Sequence, residues 1–181
     1  MQHHQNQDHV LTLSEKIENI TSESPMLCYQ CGKCSAGCPI RDYMEDSPNQ
    51  VVRLVQLGFD DEALKSSTVW LCASCLTCSS RCPQNFDIAK FMDAMRETAL
   101  REGIEISEKD TVKFHKAFLN QIKKNGKTFE LGLTLDYKLK TLDFFQDVDV
   151  APEMFFKGKI SLFPHKIKKG EEIKKIFDRT E

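Results

Sequence analysis

All eight cysteines of the 181-residue chain fall in two runs of a single pattern. The first is Cys28, Cys31, Cys34, Cys38 and Pro39 in CYQCGKCSAGCP; the second is Cys72, Cys75, Cys78, Cys82 and Pro83 in CASCLTCSSRCP. Each reads C-x2-C-x2-C-x3-C-P, a spacing that wraps three thiolates round one iron-sulfur cube and sends the fourth elsewhere. A folding unit that keeps this pattern twice must bring two short loops together and leave room for inorganic cofactors between them.

A cubane needs a soft anionic ligand at each of its four irons, and a short looped backbone presents about three of them. In proteins with two such clusters the fourth is the cysteine before the proline of the other run. That assigns Cys28, Cys31, Cys34 and Cys82 to one 4Fe-4S cluster, and Cys72, Cys75, Cys78 and Cys38 to the other. Pro39 and Pro83 lack an amide hydrogen and fix their own φ, which turns the chain away after the last ligand.

Three other readings of the cysteines compete with two cubanes. Zinc sites are also built from C-x2-C pairs, but zinc gives no reason for the prolines or for the four-plus-four count. A disulfide framework requires an oxidising compartment, and a thioredoxin-like C-x-x-C requires a strand-to-helix setting that this sequence lacks. Two zinc ions holding a helical interaction module stay open as the alternative of a different class.

The formal charge of −2 becomes about −6 once the eight thiols ionise and two oxidised cores of about +2 each enter, which argues against nucleic acid as a partner. No stretch approaches the roughly 18 apolar residues of a membrane span, and the polar start has no signal-peptide core. Reduced thiols in this number point to the cytoplasm. Ligand bonds to buried clusters couple folding to cofactor, so the apo chain is expected to fold poorly.

The hydrophobic pattern is helical. Residues 1–13 read as a polar arm whose His3, His4 and His9 are solvated. A short helix follows, capped by Ser14 and burying Ile17 and Ile20. Between the runs, Ser47-Pro48 opens a helix with Val51, Val52, Leu54, Val55 and Leu57 on its buried face, and Gly58 stops it. Asp60 to Lys65 is another short helix, and Trp70 shields the second loop.

After Pro83, Asp87 caps a helix with Ile88, Phe91, Met92, Met95 and Ala99 at three-and-four spacing, ending at Gly103. A further helix runs from a cap at Ser107 through Val112, Phe114, Phe118 and Ile122 to Asn125-Gly126. Phe129 to Lys140 alternates without strand composition, and no structure is assigned between 127 and 165. Phe144, Phe145, Phe155, Phe156 and Phe163 are expected to dock on the chain's own domain, with a partner surface as the alternative. After the basic stretch His165 to Lys169, a last helix is expected over Glu171 to Phe177. The fold class is mainly α: a helical ferredoxin-like core over 26–103, an N-terminal arm and helix over 1–25, and a helical or irregular extension over 104–181.

No dinucleotide fingerprint, G-x-S-x-G or H-E-x-x-H occurs, and Gly126-Lys127-Thr128 lacks the earlier glycine of a phosphate loop. With every cysteine used as a ligand, no nucleophile remains and no catalytic residue is assigned.

The runs CYQCGKCSAGCP and WLCASCLTCSSRCP, joined by SPNQVVRLVQLG, resemble the two-cluster iron-sulfur C subunit of heterodisulfide reductase. The similarity extends over Met26 to Gly103 and more loosely to GKISLFPHKIKKGEEIKKIF. The cysteine runs alone are shared with iron-sulfur subunits of succinate dehydrogenase and anaerobic glycerol-3-phosphate dehydrogenase. The resemblance implies an electron relay in an oxidoreductase complex. Its partners there are a flavin-bearing A subunit, which supplies electrons, and a catalytic B subunit, which reduces the mixed disulfide of coenzyme M and coenzyme B during methanogenesis. A hydrogenase or formate dehydrogenase joins that assembly for flavin-based electron bifurcation. The nearest alternative keeps the clusters and places them in another anaerobic dehydrogenase or a sulfur-metabolism complex.

Overall fold

The longest apolar stripe upstream of Gly103 becomes the axis of the first folding unit. In the computed structural model, which describes residues 11–142, 167 and 170–180, the chain separates into Met1–Glu108 and Lys109–Glu181. Among the described residues there is no strand, so the mainly α class holds. No described helix is long and apolar enough to cross a membrane.

The described part of the first unit is built from α1 (Leu13–Thr21), α2 (Lys33–Ala36), α3 (Pro48–Leu57), α4 (Asp60–Lys65), α5 (Ser67–Leu71), α6 (Thr77–Arg81) and α7 (Ile88–Arg101). Single 3-10 turns at Pro25–Leu27 and Arg41–Tyr43 lie between them. Helix α7 buries Ile88, Ala89, Phe91, Met92, Ala94, Met95, Thr98 and Ala99, and α1, α4 and α5 pack against it. Phe86 meets Phe91 edge-on at 5.8 Å, the geometry aromatic quadrupoles favour. Val51, Val52 and Val55 of α3, with Val69 and Trp70 of α5, complete the apolar core.

Several details differ from what the sequence leads one to expect. Helix α1 is capped by Thr12, not Ser14. Glu15 accepts from the Thr12 amide at 2.7 Å, and the Thr12 hydroxyl accepts from the Glu15 amide at 3.3 Å, a reciprocal capping box. Only Ile17 of the expected pair is buried; Ile20 faces outward, as does Leu57 of α3. In α1 the buried row runs Leu13, Ile17 and Thr21, spaced four apart, and leaves Ile20 beside it. Helix α3 starts as expected, with the Ser47 amide donating to Gln50 Oε1 at 2.7 Å and Pro48 in the first turn, and Gly58 ends it at φ +77°.

In the second unit, α8 (Lys109–Asn125) packs against α9 (Glu130–Thr141) and α10 (Gly170–Thr180), the last of which covers the helix expected from Glu171. The buried residues of α8 are Ala117 and Gln121, while Phe114 and Phe118 of its apolar row are exposed. Phe114 instead stacks edge-on with Tyr137 of α9 at 5.6 Å. Residues 130–141, whose alternation alone assigns no element, are helical. The arm histidines His3, His4 and His9, the aromatic residues from Phe144 to Phe163, and His165 lie outside the described residues.

Candidate iron-sulfur centre

The two cysteine runs fold alike down to single torsions. Gln30 and Gly32 of the first loop have φ of +65° and +74°; Ser74 and Leu76, in the same places of the second, have +48° and +62°. Left-handed residues on both sides of the middle cysteine curl the backbone so that successive thiols turn towards a common centre. One turn of helix then carries the third cysteine, in α2 and α6.

The likeness extends beyond the loops into the helices that follow them. The Ser35 hydroxyl accepts from the amide of Asn49, the second residue of α3, at 3.3 Å. The Ser79 hydroxyl accepts from the amide of Ala89, the second residue of α7, also at 3.3 Å. Each serine also donates to a side chain at that helix start, Ser35 to Asn49 Oδ1 and Ser79 to Asp87 Oδ1. Each serine thus ties a ligand loop to the orphan amides of a helix N-terminus.

A second tie lies further along the same helices. Gln56 of α3 donates to the carbonyls of Pro25 and Cys28 at 2.9 and 2.7 Å. Arg96 of α7 donates from Nε to the carbonyl of Val69 and from Nη2 to that of Cys72, both at 2.7 Å. Gln56 and Arg96 stand equally far past the caps Ser47 and Asp87, and Pro25 and Val69 equally far before the first ligand of their runs. The unit is therefore one design used twice: a lead-in turn, a ligand loop, a proline, and a long helix that grips the loop at both ends.

Cys38, from the first run, lines one cavity with Cys72, Cys75 and Cys78 of the second, walled by the apolar side chains of Ile40, Met44, Ile88 and Met92. On the other side, burial pushes the Cys28 thiol up, against a hydrogen bond from the Gln30 amide, and neighbouring Cys82 and Cys31 push it the same way. Cys82 is thus within electrostatic reach of Cys28. Burial likewise raises the Cys34 and Cys78 thiols. Cys75 goes the other way, lowered by the Thr77 hydroxyl 3.4 Å from its sulfur and by the Thr77 amide.

The middle ligand of each run, Cys31 and Cys75, is exposed, whereas Cys34 is buried. Soft sulfur donors around an apolar-walled cavity fit a cubane. Among the described residues no three His, Cys, Asp or Glu side chains converge on a point as one metal ion requires. Sequence reasoning missed Ser35, Ser79, Gln56 and Arg96; the recurrence of serine directly after the third cysteine of both runs was the one visible signal.

The arrangement suits iron-sulfur ligation, and residues 27–87 match the family described as "4Fe-4S dicluster domain". The chain's relatives make the resemblance more particular. It is 36% identical over 102 residues to the C-type iron-sulfur subunit of the CoB--CoM heterodisulfide reductase of Methanopyrus kandleri, covering 54% of this chain and 53% of that one. With the second C-type iron-sulfur subunit of the same enzyme from Methanocaldococcus jannaschii it shares 32% identity over 120 residues, 65% of this chain and 64% of the relative. With the C-type subunit of the H(2):CoB-CoM heterodisulfide,ferredoxin reductase of Methanothermobacter marburgensis it shares 32% over 90 residues, 50% and 49% of the two chains. The chain thus resembles the C subunit of heterodisulfide reductase, and its matches span about half the length of several of these relatives.

Proposed function

We propose that the chain binds two 4Fe-4S clusters and relays single electrons from a flavin-bearing A subunit to a catalytic B subunit, where the coenzyme M-coenzyme B heterodisulfide is reduced. The reading places it in the cytoplasm of a methanogen, in an assembly with a hydrogenase or formate dehydrogenase. It takes residues 26–103 as the cluster core, with 1–25 and 104–181 as flanking segments. The observation that carries it is the mixed cavity, in which Cys38 of one run joins Cys72, Cys75 and Cys78 of the other. Cys28, Cys31, Cys34 and Cys82 form the complementary set.

A bound cubane supplies a one-electron redox couple. The protein's own contribution is placement. Interlocked runs hold the two sites side by side, with Cys34 of the first close enough to raise the electrostatic cost of ionising Cys78 of the second. Exposed Cys31 and Cys75 bring one ligand of each site to the surface, where an electron donor and an acceptor can approach. The names of the relatives support the identity of the complex.

Anaerobic purification with metal and sulfide analysis tests the reading. The expected sample is brown, absorbs near 400 nm, holds about eight irons and eight sulfides, and copurifies with the other reductase subunits. A folded, colourless, zinc-loaded protein would refute it.

A further inference from the structure

Among the places where the halves of the twofold design differ in charge is the tie from the long helix to the first ligand cysteine. Gln56 and Arg96 perform the same task, each fixing the carbonyl of the first ligand cysteine and the carbonyl three residues earlier. Gln56 is neutral; Arg96 carries a positive charge. Two backbone carbonyls need no cation to be held, as Gln56 demonstrates within the same protein.

We infer that Arg96 is a positioning residue that also raises the reduction potential of the cluster held by Cys72, Cys75 and Cys78, relative to what glutamine in its place would give. The inference rests on the cluster reading above. A cubane with four thiolates changes from a net charge of about −2 to about −3 on accepting one electron from the donor. A nearby guanidinium stabilises the second state more than the first. Arg96 donates directly to the Cys72 carbonyl, and its side chain is only 16% exposed, so water screens it weakly.

Other charges surround the two sites and define the controls. Asp93 Oδ1 pairs with Arg96 Nη1 at 2.7 Å, but its side chain is 57% exposed and offsets the guanidinium only in part. Asp87, at the start of α7, is anionic on the second side, and Lys33 is an exposed cation in the first loop. The first site also receives a hydrogen bond from Gln30 Nε2 to the Cys28 sulfur at 3.4 Å. The inference therefore concerns the effect of exchanging Arg96 within its own site, where those neighbours stay constant, and not the order of the two potentials.

The test is an anaerobic potentiometric titration of the holoprotein followed by low-temperature EPR, with Cys75→Ser marking the signal of the second cluster. Arg96→Gln should keep the loop in place, since glutamine already serves this position in the first half, and should lower the midpoint of the second signal alone. Arg96→Lys, which keeps the charge, should stay near the wild-type value. Asp93→Asn should move the second signal upward. The inference is overturned if Arg96→Gln moves neither signal or both equally, or if Arg96→Lys falls as far as Arg96→Gln. A wild-type protein without two cluster signals would defeat the cluster reading itself, a result distinct from two signals that ignore position 96.

Discussion

Removing the Ser79 hydroxyl should loosen the second ligand loop more than removing the Ser35 hydroxyl loosens the first. In both places the hydroxyl donates to a side chain at a helix start and accepts from the second amide of that helix. The environments differ in one respect: Asp87 is a carboxylate and Asn49 a neutral amide. After truncation Asp87 keeps the Lys90 amide at 3.1 Å, and Asn49 keeps the Ser47 hydroxyl at 2.9 Å, which it shares with Gln50 Oε1 at 2.6 Å. What remains is the difference between a hydrogen bond to a charged group, about 1.5–3 kcal/mol, and one between neutral groups, about 0.5–1.5 kcal/mol. At about 1.4 kcal/mol per tenfold, Ser79→Ala should speed release of the second cluster by roughly ten- to a hundredfold, and Ser35→Ala should speed release of the first by roughly two- to tenfold. The assay is an anaerobic chelator challenge in which EPR follows each cluster as iron is withdrawn. Equal rates for the two variants, or a faster loss in Ser35→Ala, would refute the argument that these serines clamp the loops.

Two further outcomes follow from the same first unit. Phe91 is fully buried against Phe86 in the core, so Phe91→Ala should cost roughly 3–5 kcal/mol, read as a lower denaturant midpoint with an unchanged slope. At Asp87, burial works to raise the carboxyl, but the Ser79 hydroxyl, the Lys90 and Ala89 amides and the Lys90 charge together outweigh it and hold the group below its ordinary value. A depressed folded value means a stabilising contribution that is present above the ordinary carboxylate range and lost as pH falls through the depressed one. Asp87→Asn should therefore flatten the loss of stability as pH falls from the ordinary carboxylate range through the depressed value; parallel curves for the two proteins would contradict this.

The loops, α3 and α7 were legible because short-range chemistry determines them. Ligand spacing, a serine-proline start and an aspartate cap act within a few residues, and a long apolar stripe has one face to bury. Thr12 was legible too, since Thr-x-x-Glu is present, but Ser14 beside it offers the same hydroxyl and only the three-residue spacing to Glu15 separates them. Ile20, Leu57, Phe114 and Phe118 show a different limit: periodicity counts apolar residues without saying which part of a broad stripe meets a neighbour. Residues 130–141 place leucines at every second position from 131 to 135, as a strand would. The helix forms nonetheless, because leucine, lysine and glutamate favour it, Asp136 and Lys140 pair at 2.9 Å one turn apart, and α8 offers a surface. The roles of Gln56 and Arg96 were not legible at all. Each depends on the register between a helix and a loop far from it in sequence, which local pattern does not encode.

The crossed ligation is the proposal on which the double design depends, and it predicts an effect that crosses the sequence. Cys82 follows the second loop directly, yet it lies near Cys28, while Cys38 shares its cavity with Cys72, Cys75 and Cys78. Replacing Cys82 by serine should therefore disturb the cluster of Cys28, Cys31 and Cys34, and leave the second site its four thiolates. Cys38→Ser should do the reverse. An oxygen ligand, or an iron lost for want of one, changes both the potential and the spin signature of the cube it touches. Low-temperature EPR on stepwise-reduced variants distinguishes the two signals, with Cys31→Ser and Cys75→Ser as markers inside each loop. Crossed ligation requires Cys82→Ser to move the signal that Cys31→Ser moves. If it moves only the signal shared with Cys75→Ser, each run closes its own cluster, and the two halves are held together by the packing of α2 and α6 and not by the metal centres.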